Sequence, residues 1–233
     1  MFSKTAIRLC LIIGSLWLVI IGYQSCQRET KVAAETSSIV GIRSQFIGTS
    51  QCAGCHEGEF NHWKNSHHDL AMKEATAESV KGDFNNTEFE AQGVSSRFYK
   101  KDNRYFVETE GLDGEYGDFE ITYTFGIEPL QQYLVALPGG KLQALRTAWD
   151  TEKNQWFHLN PDLNIHPREW LHWTRGAMRW NTMCANCHST FLEKGYDPQE
   201  ETFNTSWNQI NVSCEGCHGP GKKHAEYVQS PSY

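Results

Sequence analysis

The sequence has little positive charge, a modest apolar content and no hydrophobic run as long as a membrane span. Its 21 Lys and Arg against 28 Asp and Glu give a net charge of -7, which argues against a nucleic-acid partner. Apolar residues make up 39% of its 233 residues, so one or two domains can form but their core is not rich. The longest apolar run, from Leu9 to Gly22, is shorter than the about 20 residues of a membrane helix.

Lys4 and Arg8 precede this run, so residues 1–26 are predicted to be a signal peptide or a short signal anchor. Cys26 leaves lipoprotein processing open as a third alternative. Residues 27–47 are polar and lack periodicity, as a linker would. We therefore expect an exported protein, in the periplasm or on the outer face of the membrane, with membrane attachment by the N-terminal segment as an alternative to cleavage.

Three motifs share the pattern Cys-X-X-Cys-His, where roughly 0.01 would be expected by chance from this composition. The pattern is typical of covalent attachment of c-type haem, in which two thiols bond to the porphyrin and the histidine becomes the proximal iron ligand. The predicted haem-binding cysteines are Cys52, Cys55, Cys184, Cys187, Cys214 and Cys217. The predicted proximal iron ligands are His56, His188 and His218. The sequence thus predicts three covalently attached haem c groups, each with its iron.

Two other interpretations of the cysteines exist. Cys184, Cys187, Cys214 and Cys217 have a spacing that a four-cysteine zinc site accepts. Zinc gives no reason for a histidine after every second cysteine, and it leaves the first motif without a partner. A disulfide framework likewise gives no reason for three identical motifs.

A low-spin electron-transfer haem needs a second axial ligand, whereas an enzymatic haem keeps that position open. His68 lies 12 residues after His56 on a predicted helix, so it is expected to reach a neighbouring haem. His224 follows a Gly-Pro-Gly turn after the third motif and is expected to do the same. His172, among tryptophans before the second motif, is a third candidate.

The fold class predicted is α+β, with short haem-binding helices and a small antiparallel β-sheet inserted at about residues 91–160. Alternation in the segment 119–125 indicates a strand, and the segments 96–100 and 104–108 indicate a hairpin. Residues 57–75 have helical spacing, and residues 76–90 are polar and resemble a loop. The multihaem domain is expected to span residues 48–228.

The sequence resembles multihaem cytochromes of the cytochrome c-552/4 type over roughly residues 47–226. The similarity is carried by the runs WKNSHHDLAM, YTFG, LQAL, NTMCANCHST and CEGCHGPG. The resemblance implies that His68 and His224 serve as distal ligands. Such proteins often continue into further haem sites and tetratricopeptide repeats, so we expect that residues 229–233 are the tail of a truncated chain.

The function predicted is that of an exported electron carrier between periplasmic or membrane redox partners. The alternative is an oxidoreductase that reduces a small nitrogen or sulfur oxyanion at a five-coordinate haem, and the sequence leaves it open whether the protein is an enzyme. A zinc-stabilised binding module is a third hypothesis. No catalytic residue is predicted.

Overall fold

The computed structural model describes Trp17 and residues 41–231. The chain divides into two compact units, Met1–Gln45 and Phe46–Tyr233, and the features below belong to the second. The predicted signal or anchor segment, Trp17 excepted, and Cys26 lie outside the described residues. Within the described part of the chain, no helix combines the length and the apolar character needed to cross a bilayer.

The helices are short, none of those below exceeding seven residues, and they carry the cysteine motifs. Six are α-helical: α1 Thr49–Ala53, α2 Glu57–Trp63, α3 Trp180–Met183, α4 Ala185–His188, α5 Cys214–His218 and α6 Lys222–Val228. Two single turns of 3₁₀-helix span Asp69–Ala71 and Gly176–Met178. Helices of this length are marginal by themselves, so packing and side-chain hydrogen bonds must hold them.

The strands form one large sheet and two small ribbons. The large sheet contains β1 Met72–Glu74, β2 Asn85–Ala91, β3 Val94–Lys101, β4 Arg104–Glu110, β5 Tyr116–Phe125, β6 Leu130–Leu137, β7 Lys141–Ala144, β8 Thr147–Asp150 and β9 Gln155–His158. The ribbons pair β10 Thr190–Glu193 with β13 Ser206–Gln209 and β11 Tyr196–Asp197 with β12 Thr202–Phe203.

The main sheet is antiparallel in the order β2-β3-β4-β5-β6-β8-β9, with β1 on β5 and β7 on β6. The α+β class is confirmed, but the expectation of a small sheet is wrong because the sheet has nine strands. Strand β2 overlaps the segment predicted as a loop, because its sequence is polar. Most of its residues are exposed in the structure. Strand β1 was predicted as helix, since three residues are too few to show a period.

Tight turns fix the register of the hairpins. The predicted β3–β4 hairpin is confirmed, and its turn residues Asp102 and Asn103 both have positive φ, as a two-residue hairpin turn requires. Gly140, in the β6–β7 turn, has φ of +68°, and a Cβ there would collide with the carbonyl oxygen of Phe203. Only glycine fits at this position.

Strand β6 is buried on both faces and separates two apolar clusters. Tyr133 and Val135 belong to the larger cluster, which is rich in aromatic rings. Leu134, between them, points into the smaller cluster with Trp180 and Ala185, the residues that flank and begin the second motif. The second motif therefore packs against the large sheet.

Candidate haem-binding sites

The first motif begins in helix α1 and ends directly before α2. The carbonyl oxygen of Cys52 accepts the N–H groups of Cys55 at 3.2 Å and of His56 at 2.9 Å. This tight turn gathers the two cysteines and the histidine in one surface segment. Cys52 is half-buried, while Cys55 and His56 are exposed, so the segment remains accessible for covalent attachment.

The third motif occupies helix α5, and a sharp turn follows it. Gly219 ends the helix with φ of +78° and donates its N–H to the carbonyl oxygen of Glu215 at 3.0 Å. The turn redirects the chain into α6, which carries His224 as an exposed residue. Burial, followed by the charges of Cys214 and Glu215, raises the pKa of the Cys52 thiol. Cys52 and Cys214 line the same cavity.

The first and third motifs line one cavity of about 390 Å³. Its lining includes Cys52, His56, Phe60, Cys214, His218 and His224. This volume falls in the range of about 300–1,000 Å³ that is usual for cofactor pockets. Thiols and imidazoles from two attachment motifs therefore converge on a space suited to a large flat cofactor.

Two imidazoles in this cavity have the separation of an axial pair. The ring centroids of His56 and His224 lie 6.1 Å apart, with 30° between the ring planes. Two imidazoles on opposite sides of one iron, each at about 2 Å from metal to nitrogen, would have centroids about 6 Å apart. The spacing thus fits a haem between the two rings.

A buried carboxylate ties the first motif to the third. Glu215, inside the third motif, is 4% exposed. Its Oε1 accepts the N–H groups of Ile47 at 2.9 Å and Gly221 at 2.8 Å, and its Oε2 accepts that of Gly48 at 2.8 Å. Charged acceptors make stronger hydrogen bonds than neutral ones. Glu215 therefore fixes both the entry to α1 and the turn before α6, which carry the two halves of the cavity.

The second motif is anchored on the large sheet. Asn181 is fully buried in α3, and its Oδ1 accepts the N–H of Leu142 at 2.8 Å. Its Nδ2 donates to the carbonyl oxygen of Gly140 and to the hydroxyl of Thr205. Cys184 follows α3 directly and packs against the smaller apolar cluster. These contacts hold the motif at the β6–β7 hairpin.

The proximal histidine of the second motif is half-buried against an aromatic ring. The centroids of His188 and Phe125 lie 4.4 Å apart with 60° between the ring planes. Burial lowers the pKa of His188, an effect that the backbone of Ala71 partly opposes. Burial also raises the pKa of the Cys184 thiol. A neutral imidazole is the form that binds iron, so this environment suits a proximal ligand.

One threonine joins the second motif to the third. The hydroxyl of Thr190, two residues after His188, donates to the carbonyl oxygen of Asn211 at 2.8 Å and accepts the N–H of Ser213 at 2.9 Å. Thr190 is 1% exposed, so water does not compete for these bonds. All three motifs are therefore linked by buried polar contacts.

The structure brings His68 to the third motif through its backbone. The carbonyl oxygen of His68 accepts the N–H of Val212 at 3.2 Å, two residues before Cys214. Asp69 accepts the side-chain amide of Asn211 at 2.9 Å. The His68 imidazole is exposed, and its role as distal ligand stays a prediction.

His172 lies elsewhere, in a cavity of the large sheet. Its Nδ1 lies 2.9 Å from the hydroxyl of Thr174, and its Nε2 lies 3.8 Å from Glu110. Burial, with smaller contributions from Arg175 and Arg146, lowers the pKa of His172 to about 4. None of the cysteine motifs lines this cavity, and ligation by His172 stays a prediction.

The zinc interpretation finds no support in the geometry. Over residues 41–231, no three histidine, cysteine or acidic side chains converge into a group that could hold one metal ion. The four cysteines of the second and third motifs belong to separate helices joined through Thr190, rather than to one cluster.

Sequence reasoning missed the polar residues that position the motifs, namely Glu215, Thr190, Asn181 and Asn211. Each is buried, but no residue period or motif spacing marks a buried polar group in a short irregular segment. The sequence offered one signal of such a residue: Glu215 is a charged residue between the two candidate haem-binding cysteines of the third motif.

Comparisons with known proteins give one family match and a match to a solved structure. A family model described as "Cytochrome c554 and c-prime" matches residues 51–104 and 147–219, more than half of the chain. Among solved structures, the chain is similar to the "Crystal Structure of Outer Cell Wall Cytochrome OcwA", with 20% sequence identity and a TM-score of 0.51. The match covers 79% of this chain and 34% of that one, so the chain spans about a third of that protein. No curated protein matches.

Proposed function

Because the chain belongs to the cytochrome c554 and c-prime family, we propose that it is an exported multihaem cytochrome that carries electrons between redox partner proteins. The family implies covalently bound haem c. We assign three haems, one to each motif, from the three Cys-X-X-Cys-His patterns.

The cavity shared by the first and third motifs carries this proposal. Thiols from both motifs line it, so the two attachment points lie close together. Bound haem supplies a one-electron iron couple whose potential depends on its axial ligands and burial. The residues of this chain would hold two haems near each other. Electron transfer between the two haems requires this proximity.

We assign His56 and His224 as the axial pair of the first haem. The 6.1 Å separation of their ring centroids supports this assignment. His218, on the other wall of the cavity, then holds the third haem. His68 is the distal ligand that we assign to the second or third haem, since its backbone lies beside Val212. His172 stays a weaker candidate.

We infer export from the composition of residues 1–26, and the choice of partner from the net charge. Residues 1–26 support export, with either cleavage or retention as an anchor. The net charge of -7 favours partners that present a basic surface. We therefore place the protein in the periplasm or on the outer face of the membrane.

Reduction of a small nitrogen or sulfur oxyanion is the second candidate function, and the second motif favours it. The imidazole of His188 contacts the ring of Phe125. In an axial pair it would instead face a second histidine. A haem without a distal ligand would have an open iron position, which substrate reduction requires.

Spectroscopy separates the two functions. The carrier proposal predicts that the oxidised protein shows only low-spin haem by EPR and does not bind cyanide, with a further side chain besides His224 and His68 ligating the remaining iron. A high-spin signal that cyanide removes would favour the enzyme. Histidine substitutions then test the assignment of the axial pair.

His224→Ala should convert one haem to high spin. His62→Ala is the matched control, because His62 is exposed on α2 and does not line the cavity. An unchanged spectrum in His224→Ala would refute the assigned pair.

A further inference from the structure

A second cavity, of about 60 Å³, lies in the large sheet away from the cysteine motifs. Strands β2, β3, β4, β8 and β9 and the segment before Gly176 contribute its walls. The polar side chains that matter below are Arg146, His158, His172 and Glu110. A water molecule needs roughly 10–15 Å³ of such space, so the cavity holds several waters or one small ion.

Arg146 is buried in this wall with an unsatisfied charge. It is 7% exposed, its Nη1 donates to the carbonyl oxygen of Leu171 at 3.3 Å, and its Nε has no hydrogen-bond partner. None of the ion pairs between described residues includes Arg146. Burial alone lowers the pKa of Arg146, yet a guanidinium remains charged in proteins. A buried, unpaired charge is costly, so this position favours an anion as its partner.

Two neutral histidines add hydrogen-bond donors to the same cavity. The Nδ1 of His158 accepts the N–H of Asn160 at 3.2 Å, which leaves the proton on Nε2. Burial, followed by the charge of Arg146, lowers the pKa of His158. The Nδ1 of His172 likewise accepts the N–H of Thr174 at 3.4 Å. The neutral tautomers of both rings therefore present an N–H at Nε2.

The acidic side chain of the cavity does not neutralise Arg146. Glu110 is a fifth exposed and lies 3.8 Å from the Nε2 of His172. No ion pair with Arg146 forms within 4.0 Å, and Glu110 is not among the causes that shift the pKa of Arg146. Water in the cavity would satisfy the Nε–H group of Arg146, but it would leave the positive charge uncompensated.

We propose that this cavity binds a small, planar, singly charged oxyanion at Arg146, with the Nε2–H of His158 as a second donor. The planar fork of a guanidinium matches two oxygens of such an anion. The volume of the cavity, about 60 Å³, favours anions of the size of nitrate or formate over larger carboxylates. The site shares no lining residue with the haem cavity, so its occupancy is separate from iron ligation and from the proposed electron transfer.

Nitrate is the probe, titrated calorimetrically into the haem-loaded protein at constant ionic strength. The wild type should show saturable binding of one nitrate. Arg146→Gln should weaken it at least tenfold, because the charge-assisted contact is lost. Arg97→Gln is the control, since Arg97 lies on the same sheet but is exposed and paired with Glu108; its affinity should equal that of the wild type.

His158→Ala is a second variant for the case in which Arg146→Gln does not fold. It should weaken nitrate binding several-fold. The haem absorption spectrum should not change on nitrate addition, because neither Arg146 nor His158 is assigned to a haem. Absence of saturable binding to the wild type would overturn the proposal. So would an unchanged affinity in a folded Arg146→Gln, or in a folded His158→Ala.

Discussion

Replacement of Glu215 tests how the first and third motifs are held together. Glu215→Gln keeps a carbonyl oxygen that can accept from Ile47 and Gly221, the two partners of Oε1. It places an NH₂ group against the N–H of Gly48, the partner of Oε2. Glu215→Ala removes all three acceptors. The two variants therefore remove one contact and three contacts, respectively.

The expected losses of stability follow from the number of hydrogen bonds that each variant removes. Glu215→Gln loses one charge-assisted hydrogen bond and weakens two others, so it should lower the free energy of unfolding by about 1–2 kcal/mol. Glu215→Ala leaves three partly buried N–H groups without an acceptor. Because water can reach some of them, we expect a loss of about 2–4 kcal/mol.

Denaturant unfolding of the haem-loaded protein, followed by far-UV circular dichroism, measures both losses. Glu226→Gln is the matched control: Glu226 is exposed on α6, and its neutralisation should change stability by less than about 0.5 kcal/mol. Stabilities of Glu215→Gln and Glu215→Ala that equal the control would refute the role of Glu215.

Three further substitutions test other parts of the account. His188→Ala should keep its haem through both thioether bonds but lose one low-spin signal; an unchanged EPR spectrum would count against His188 as a ligand. Thr190→Val should destabilise by about 1–3 kcal/mol in the same unfolding assay, because the N–H of Ser213 loses its buried acceptor. His172→Gln should leave the haem spectrum unchanged, because the structure places His172 in the sheet cavity; loss of a low-spin signal would instead support the ligand prediction made from sequence.

The attachment residues were predictable because the chemistry itself fixes their spacing. Two thiols must reach one edge of a porphyrin and the histidine must reach its iron, so the pattern survives in any fold. That His224 ligates a neighbouring haem stays a prediction; the structure places its ring 6.1 Å from that of His56. That prediction depended on a local feature, the Gly-Pro-Gly turn.

The extent of the sheet was less predictable. Strand β5 alternates clearly and was found, whereas β2 is polar and β1 has three residues. Strand β1 pairs with β5, which is remote in sequence, and β2 pairs with its neighbour β3. Local periodicity reports neither pairing. Buried polar residues such as Glu215 and Asn181 escaped for the same reason, since their partners are remote in sequence.

Haem stoichiometry tests the central claim most directly. The protein should be matured in a host that attaches c-type haem, and its intact mass and pyridine haemochrome spectrum should then be measured. Three thioether-bound haems per chain are predicted, and substitution of both cysteines in any one motif should leave two. A colourless product with the mass of the bare polypeptide, or a haem content that such substitutions do not change, would contradict the account.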